Sequence, residues 1–221
     1  MFSDSHSTPI GTFRIPEVVP FFPLPNVVFF PHTYLPLHIF EPRYREMVED
    51  TASRGDCIGM ALLKDGWESQ YYQSPPIYDL GCVGRLVSVN SLSDGRFNVI
   101  LKGLSRCRYF EQSVTTSYRQ AKLQVLPDTI ESLKLEPSVR AQLIDVAECY
   151  LRQKKADDLS QLISSEDMND GVLVNSLSAG LDLTANEKQF LLEAGHLTQR
   201  ARRLADFLKF KLADIQSSAQ G

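Results

Sequence analysis

Hydrophobic and polar positions follow two different rhythms along this chain. Over residues 18–31, short β-branched and aromatic runs (Val-Val, Phe-Phe, Val-Val-Phe-Phe) alternate with prolines. Proline fixes φ and removes an N–H donor, so this stretch predicts short, interrupted strands that bend around a barrel-like core. Eight of the twelve prolines lie between Pro9 and Pro42, and none lies beyond Pro137. One helix is predicted in this part. Pro42 takes the first helical position after Glu41, then Tyr44, Met47, Val48 and Thr51 recur at helical spacing, with Gly55 as a stop. The stretches 57–63 and 108–126 are further strand candidates, and the β-rich part should end near Pro127. Asp94-Gly95 predicts a two-residue type I′ hairpin turn that opposes Leu92 to Phe97, Asn90 to Val99 and Ser88 to Leu101. One face then carries Leu86, Leu92, Phe97, Val99 and Leu101. The other carries Val87, Val89 and Ile100, and alternation alone leaves the buried side open.

Beyond Pro127 the period changes to that of helices. Pro137 starts one whose apolar face is Val139, Leu143, Val146 and Tyr150. Short helices follow at 159–163 and 172–179, the second closed by Gly180. Thr184 and Glu187 form a capping box that opens a helix ended by Gly195. The last helix runs from about Leu197 to Ile215 on a stripe of Leu197, Ala201, Leu204, Leu208, Leu212 and Ile215. The expected fold is therefore α+β: a bent β-barrel with one inserted helix, followed by a C-terminal helical bundle. The expected organisation is an N-terminal arm (1–17), a β-rich subdomain (18–127), a helical subdomain (128–216) and a tail (217–221).

Composition narrows the function classes. At 221 residues, 43% hydrophobic and 23% charged, the chain is an ordinary globular sequence with a sizeable core. No run approaches the roughly 18 apolar residues of a membrane helix, and the arm lacks the pattern of a secretory signal. The four cysteines, Cys57, Cys82, Cys107 and Cys149, form no Cys-x-x-Cys pair, which suits free thiols in a reducing cytoplasm. Residues 1–127 carry 12 basic and 12 acidic side chains, so the net charge of −4 comes from the helical part. An acidic chain is poorly suited to bind nucleic acid through its phosphates.

Motifs for chemistry are largely missing. The sequence has no Gly-Lys pair, which excludes a Walker A loop within these residues, and no Gly-x-Ser-x-Gly or His-Glu-x-x-His. The glycines of Gly81-Cys-Val-Gly84 sit in a strand pattern and predict a bend or bulge. His6, His32, His38 and His196 lack metal-ligand spacing. The basic residues of the last helix, Arg200, Arg202, Arg203, Lys209 and Lys211, read as a solvated face. No catalytic residue, cofactor or metal is expected.

Several stretches carry a family resemblance. Residues 21–31, then 35–47 with its Pro-Leu-His-Ile-Phe and Glu-Pro-Arg-Tyr segments, resemble the opening of the Lon protease N-terminal domain. Parts of 58–63, then Gly81-Cys-Val-Gly-Arg-Leu86, Asp94-Gly-Arg96, Lys102-Gly-Leu-Ser-Arg106, 187–193 and 199–204 extend the likeness over roughly Val18 to Ile215. The resemblance implies a PUA-like β-barrel followed by a helical bundle. It also implies a stand-alone, non-enzymatic version of a substrate-recognition domain, without the ATPase and Ser–Lys peptidase that follow it in Lon proteases.

The implied partner is an unfolded or hydrophobic polypeptide segment, or another protein, with neither nucleic acid nor membrane involved. Candidate binding residues are the aromatics of the proline-rich stretch, Phe21, Phe22, Phe29, Phe30 and Tyr34, which could line a groove or support strand addition. Glu41, Arg43 and Arg85 join them, because charges beside apolar strands must be exposed or paired. Two rival readings are a small-molecule hydrolase with a pocket between the subdomains and, following the PUA-like fold, an RNA binder.

Overall fold

The computed structural model describes residues 13–54, 57–128, 134–155, 159, 163 and 168–218. Most of the expected arm, Gly55, most of the expected 159–163 helix and most of the expected tail lie outside the described residues. Six strands are present: β1 (Val18–Leu24), β2 (Tyr34–Ile39), β3 (Cys57–Leu62), β4 (Leu80–Ser91), β5 (Phe97–Gln112) and β6 (Gln120–Leu126). Helix α1 (Pro42–Arg54) lies between β2 and β3, and a 3-10 turn (Glu68–Gln70) lies between β3 and β4. Four longer helices follow: α2 (Pro137–Lys154), α3 (Asp170–Gly180), α4 (Ala185–Leu192) and α5 (Leu197–Ser218).

The strands close on themselves. β1 pairs in parallel with β3, β3 with β4, β4 with β5, β5 with β6, and β6 returns to β1. Closure of this five-strand ring removes its free edges. Apolar side chains from all five strands, among them Val19, Phe21, Cys57, Val83, Tyr109 and Leu123, pack together inside it. The hairpin of β4 and β5 projects beyond the ring, and β2 adds to its β5 side as a sixth strand. Helix α1 covers one face of this extension, burying Tyr44, Met47 and Val48 against Ile39, Leu86, Phe97, Val99 and Leu101. The spacing Tyr44–Met47–Val48–Thr51 is thus the buried stripe of α1, and Leu86, Phe97, Val99 and Leu101 mark the inward side of the hairpin.

The hairpin register departs from the expected one. Leu92 pairs with Arg96 across a three-residue loop, Ser93-Asp94-Gly95, and the ladder opposes Ser91 to Phe97. Only Gly95 has a positive φ (79°), whereas a type I′ turn needs two such residues. A bulge at Val87 then shifts the register by a further residue and sets Leu86, rather than Ser88, opposite Leu101, and a second irregularity falls between Val83 and Gly84.

The helical part follows its caps. Asn169 accepts from the Gly171 and Val172 N–H groups at the start of α3, and Thr184 and Glu187 form a complete capping box on α4. Helix α4 stops at Leu192, three residues before Gly195. Leu197, Ala201, Leu204, Leu208 and Leu212 of α5 are buried against the other helices, including Leu143, Ala147 and Tyr150 of α2.

One buried guanidinium joins barrel to helices, and a second ties the helices together beside it. Arg106 of β5 donates to the carbonyls of Ala194 (2.6 Å) and Gly195 (3.0 Å), and its nearest carboxylate is Asp128 at 3.5 Å. Arg200 of α5 donates to the Leu191 carbonyl (3.0 Å) and to the Asn175 side-chain oxygen (2.7 Å). These carbonyls lie at the C-terminal end of α4, where backbone acceptors lack helical partners and the dipole favours cations. Arg200 therefore does not belong to a solvated face, because it is 1% exposed. Burial, followed by the nearby Arg106 charge, pushes its pKa down to about 10, so it stays cationic at neutral pH.

Candidate functional site

The β1–β2 connection (25–33) leaves the barrel toward the helices. Phe29 turns its ring into the cluster under α1, whereas the Phe30 ring enters the helical core together with Leu80. A Cβ on Gly103 would collide with the Phe30 carbonyl oxygen, so glycine on β5 is what lets the loop cross this closely. Phe30-Pro31-His32-Thr33 then turns sharply. His32 takes φ 65°, and the Thr33 N–H and hydroxyl donate to the Phe30 carbonyl at 3.4 and 2.8 Å. A left-handed φ is unfavourable for a residue with a Cβ. It is held here by the His32 N–H bond to the Gly103 carbonyl at 2.9 Å.

This turn delivers Tyr34 to the surface, 62% exposed, with the Lys102 ammonium 5.9 Å from its ring centroid. Between the connection and α3 lies a groove of about 550 Å³. Val27, Val28, Phe29 and Tyr34 line it from the barrel side, and Val172 and Lys188 line it from the helices. Lys188 is the polar anchor of this space. Its ammonium donates to the Ala179 carbonyl at 2.7 Å, its one hydrogen bond among the described residues, and burial lowers its pKa. His32 also lines the groove, and burial lowers its pKa as well.

The expected binding residues part company here. Phe21 fills the barrel, while Phe22 and Phe29 pack beneath α1 and Phe30 packs among the helices; all four are 3% exposed or less. They are core residues in this conformation, because strands buried on both faces read as continuous apolar runs. Tyr34 alone of the aromatic set reaches the groove rim with its ring exposed. Glu41 and Arg43 pair with each other at 3.0 Å, away from the groove. Glu41 also accepts from the Tyr71 hydroxyl at 2.6 Å, and the Arg43 guanidinium stacks on the Tyr44 and Tyr71 rings. This cluster ties the start of α1 to the β3–β4 loop. Arg85 is exposed on β4, beneath the Phe13 ring.

Strand addition would use β2, which pairs on one side only among the described strands. The Gly103 N–H donates to the Thr33 carbonyl, so Tyr34, Pro36 and His38 direct their backbone groups to the free edge. Pro36 has no N–H to offer there, which interrupts the edge. Sequence reasoning missed the helical wall of the groove, Val172, Ser176 and Lys188. The Asn169 cap locates α3, but nothing local predicts which of its faces meets the proline-rich loop. Among the described residues no three His, Cys, Asp or Glu side chains gather as metal ligands. No helix among them is long and apolar enough to cross a membrane.

Comparison with known proteins fits this architecture. The chain is 29% identical over 209 residues to the Lon protease of Dictyoglomus thermophilum and 29% identical over 217 residues to that of Parabacteroides distasonis. These alignments cover 91% and 95% of the chain but only 25% and 26% of the relatives, so it spans about a quarter of their length. Among solved structures, the N-terminal domain of a Mycobacterium avium complex Lon protease superposes with a TM-score of 0.67 at 16% identity. That match covers 87% of this chain and 98% of the other. A Lon N-terminal domain protein from Xanthomonas campestris superposes at 0.63 with 23% identity, over 85% and 96%. At these identities both likenesses concern the fold alone. The family model described as the ATP-dependent protease La (LON) substrate-binding domain matches residues 18–209, and the chain belongs to that family.

Proposed function

We propose that this chain is a non-catalytic polypeptide-recognition module that holds an extended, largely apolar segment in the groove between the β1–β2 connection and α3. The observation that carries the reading is the groove itself: an apolar floor from both halves of the molecule, Tyr34 exposed on its rim and one half-buried ammonium, Lys188. Such a site takes apolar side chains while the ammonium receives a backbone carbonyl of the bound segment. Because Pro36 interrupts the β2 edge, side-chain capture rather than strand pairing supplies the affinity. Family membership supports the same reading through its description as a substrate-binding domain. The division at about Pro127 is part of the proposal: the barrel and the helical subdomain each contribute one wall. A cytoplasmic setting accords with the three buried free cysteines.

The test is a fluorescence-anisotropy titration of a labelled, extended apolar peptide against the wild-type chain and a Ser176→Trp variant. Ser176 is half-buried on the groove-facing side of α3, so the indole would fill the space. At least about tenfold weaker binding is expected, equivalent to about 1.4 kcal/mol. Unchanged affinity in a variant that retains its circular dichroism spectrum would overturn the groove as the site.

A further inference from the structure

Lys188 is a half-buried cation with no counter-charge at close range. It reaches the groove from α4, and its ammonium donates to the Ala179 carbonyl in the last turn of α3 at 2.7 Å. The dipole of α3 favours a cation at that end, and this contact occupies one of the three ammonium donors. The other two have no partner among the described residues. Asp182 is the carboxylate whose charge acts on Lys188, but its side chain is exposed and lies 3.9 Å from the Lys154 ammonium. Burial outweighs its pull.

The surroundings share the same bias. Among the described residues the groove lining contains no Asp or Glu, while His32 adds a second basic group and Val28, Phe29, Leu35 and Val172 make the surface apolar. An ammonium held in such surroundings is costly until a partner completes its bonds and its charge. A neutral carbonyl supplies a hydrogen bond, whereas a carboxylate supplies the bond and the opposite charge together. A largely apolar polypeptide segment has a carboxylate to offer in one place, its own C-terminus.

We propose that the groove binds the C-terminal end of a polypeptide, with the last apolar side chains on Val28, Phe29 and Val172 and the terminal carboxylate on the Lys188 ammonium. This deepens the groove reading and rests on it: the backbone oxygen that Lys188 receives is the one at the chain end. Lys188 then selects chain ends over internal stretches of the same composition.

An anisotropy titration tests it, using an N-terminally labelled apolar peptide that ends in Val-Leu-Val. The peptide is prepared as the free acid, as the C-terminal amide, and as an amide carrying one internal Glu. The wild-type chain should bind the free acid about tenfold tighter than either amide, the scale of one charge-assisted hydrogen bond. Lys188→Met keeps the apolar stem without the charge and should reduce the free acid to the affinity of the amide. Lys188→Arg should restore most of the difference. Equal binding of acid and amide to the wild type would overturn the proposal, and that comparison needs no variant to fold. So would an acid preference that survives Lys188→Met, or an internal Glu that matches the free acid, which would assign the ammonium to acidic side chains. Ser176→Trp separates this outcome from failure of the groove itself. If it weakens acid and amide alike while the wild type binds both equally, the groove stands and chain-end selection falls. If it leaves the free acid's affinity unchanged, the groove reading falls and this one falls with it.

Discussion

Barrel and helices meet in two places built on opposite principles. At one, Arg106 of β5 directs its donors to the carbonyls that follow α4, with the buried Arg200 on the Leu191 carbonyl beside them, and the junction is closed. At the other, the β1–β2 connection and α3 stand apart and leave a groove of about 550 Å³. Both contacts follow from one topology, because Phe30 and Leu80 carry the barrel into the helical core between them. The difference shows how a rigid relation between two halves is compatible with a site between them. Buried guanidinium-to-carbonyl contacts fix the junction, and a strained turn at His32 keeps Tyr34 outside.

Breaking the closed contact should give the largest effect. Arg200→Ala withdraws the buried guanidinium from the Leu191 carbonyl and the Asn175 side-chain oxygen and leaves a cavity in the core, and a loss of about 3–5 kcal/mol in urea-unfolding stability is expected. Phe30→Ala removes a fully buried ring from the helical core and should cost about 3–4 kcal/mol by the same measurement. Tyr34→Ala sharpens the contrast. Stability should change by no more than about 0.5 kcal/mol because the ring is exposed, while peptide affinity should fall about tenfold.

The smallest effect concerns pH. Burial lowers the pKa of His32 below its usual 6.5, so the folded state resists the proton that the unfolded state accepts. Stability is therefore unaffected well above 6.5 and declines as pH falls through 6.5 toward the lowered folded value. His32→Asn tolerates the left-handed φ and does not titrate. Its urea midpoint should fall less than that of the wild type when the pH is lowered from neutral to mildly acidic.

Much of the fold was legible because it depends on local rules. Pro42, Asn169 and the Thr184–Glu187 box place helix starts, and the stripes of α1 and α5 predict their buried faces. Two features that depend on geometry beyond the local pattern were not. Asp94-Gly95 suits either a two- or a three-residue loop, and the choice was made by the ladder, with Val87 absorbing the mismatch. Arg200 falls in a run of basic residues, and only the arrival of α4 and Asn175 turns it into a core cation. The site was half legible. Proline and aromatic density marks the barrel-side wall, but Phe21, Phe22, Phe29 and Phe30 were spent on packing. The helical wall depends on segments more than 130 residues apart in sequence, such as those of Val28 and Val172, lining one groove.

An extended apolar segment is proposed to lie between the two walls. Chemical-shift mapping with an unlabelled extended apolar peptide on the isotope-labelled chain tests it most directly. Concerted shifts are expected at Val28, Tyr34, Val172, Ser176 and Lys188, drawn from both sides of the groove. Shifts confined to one wall, or centred on the exposed aromatics Phe190 and Phe210 of the helical part, would contradict it.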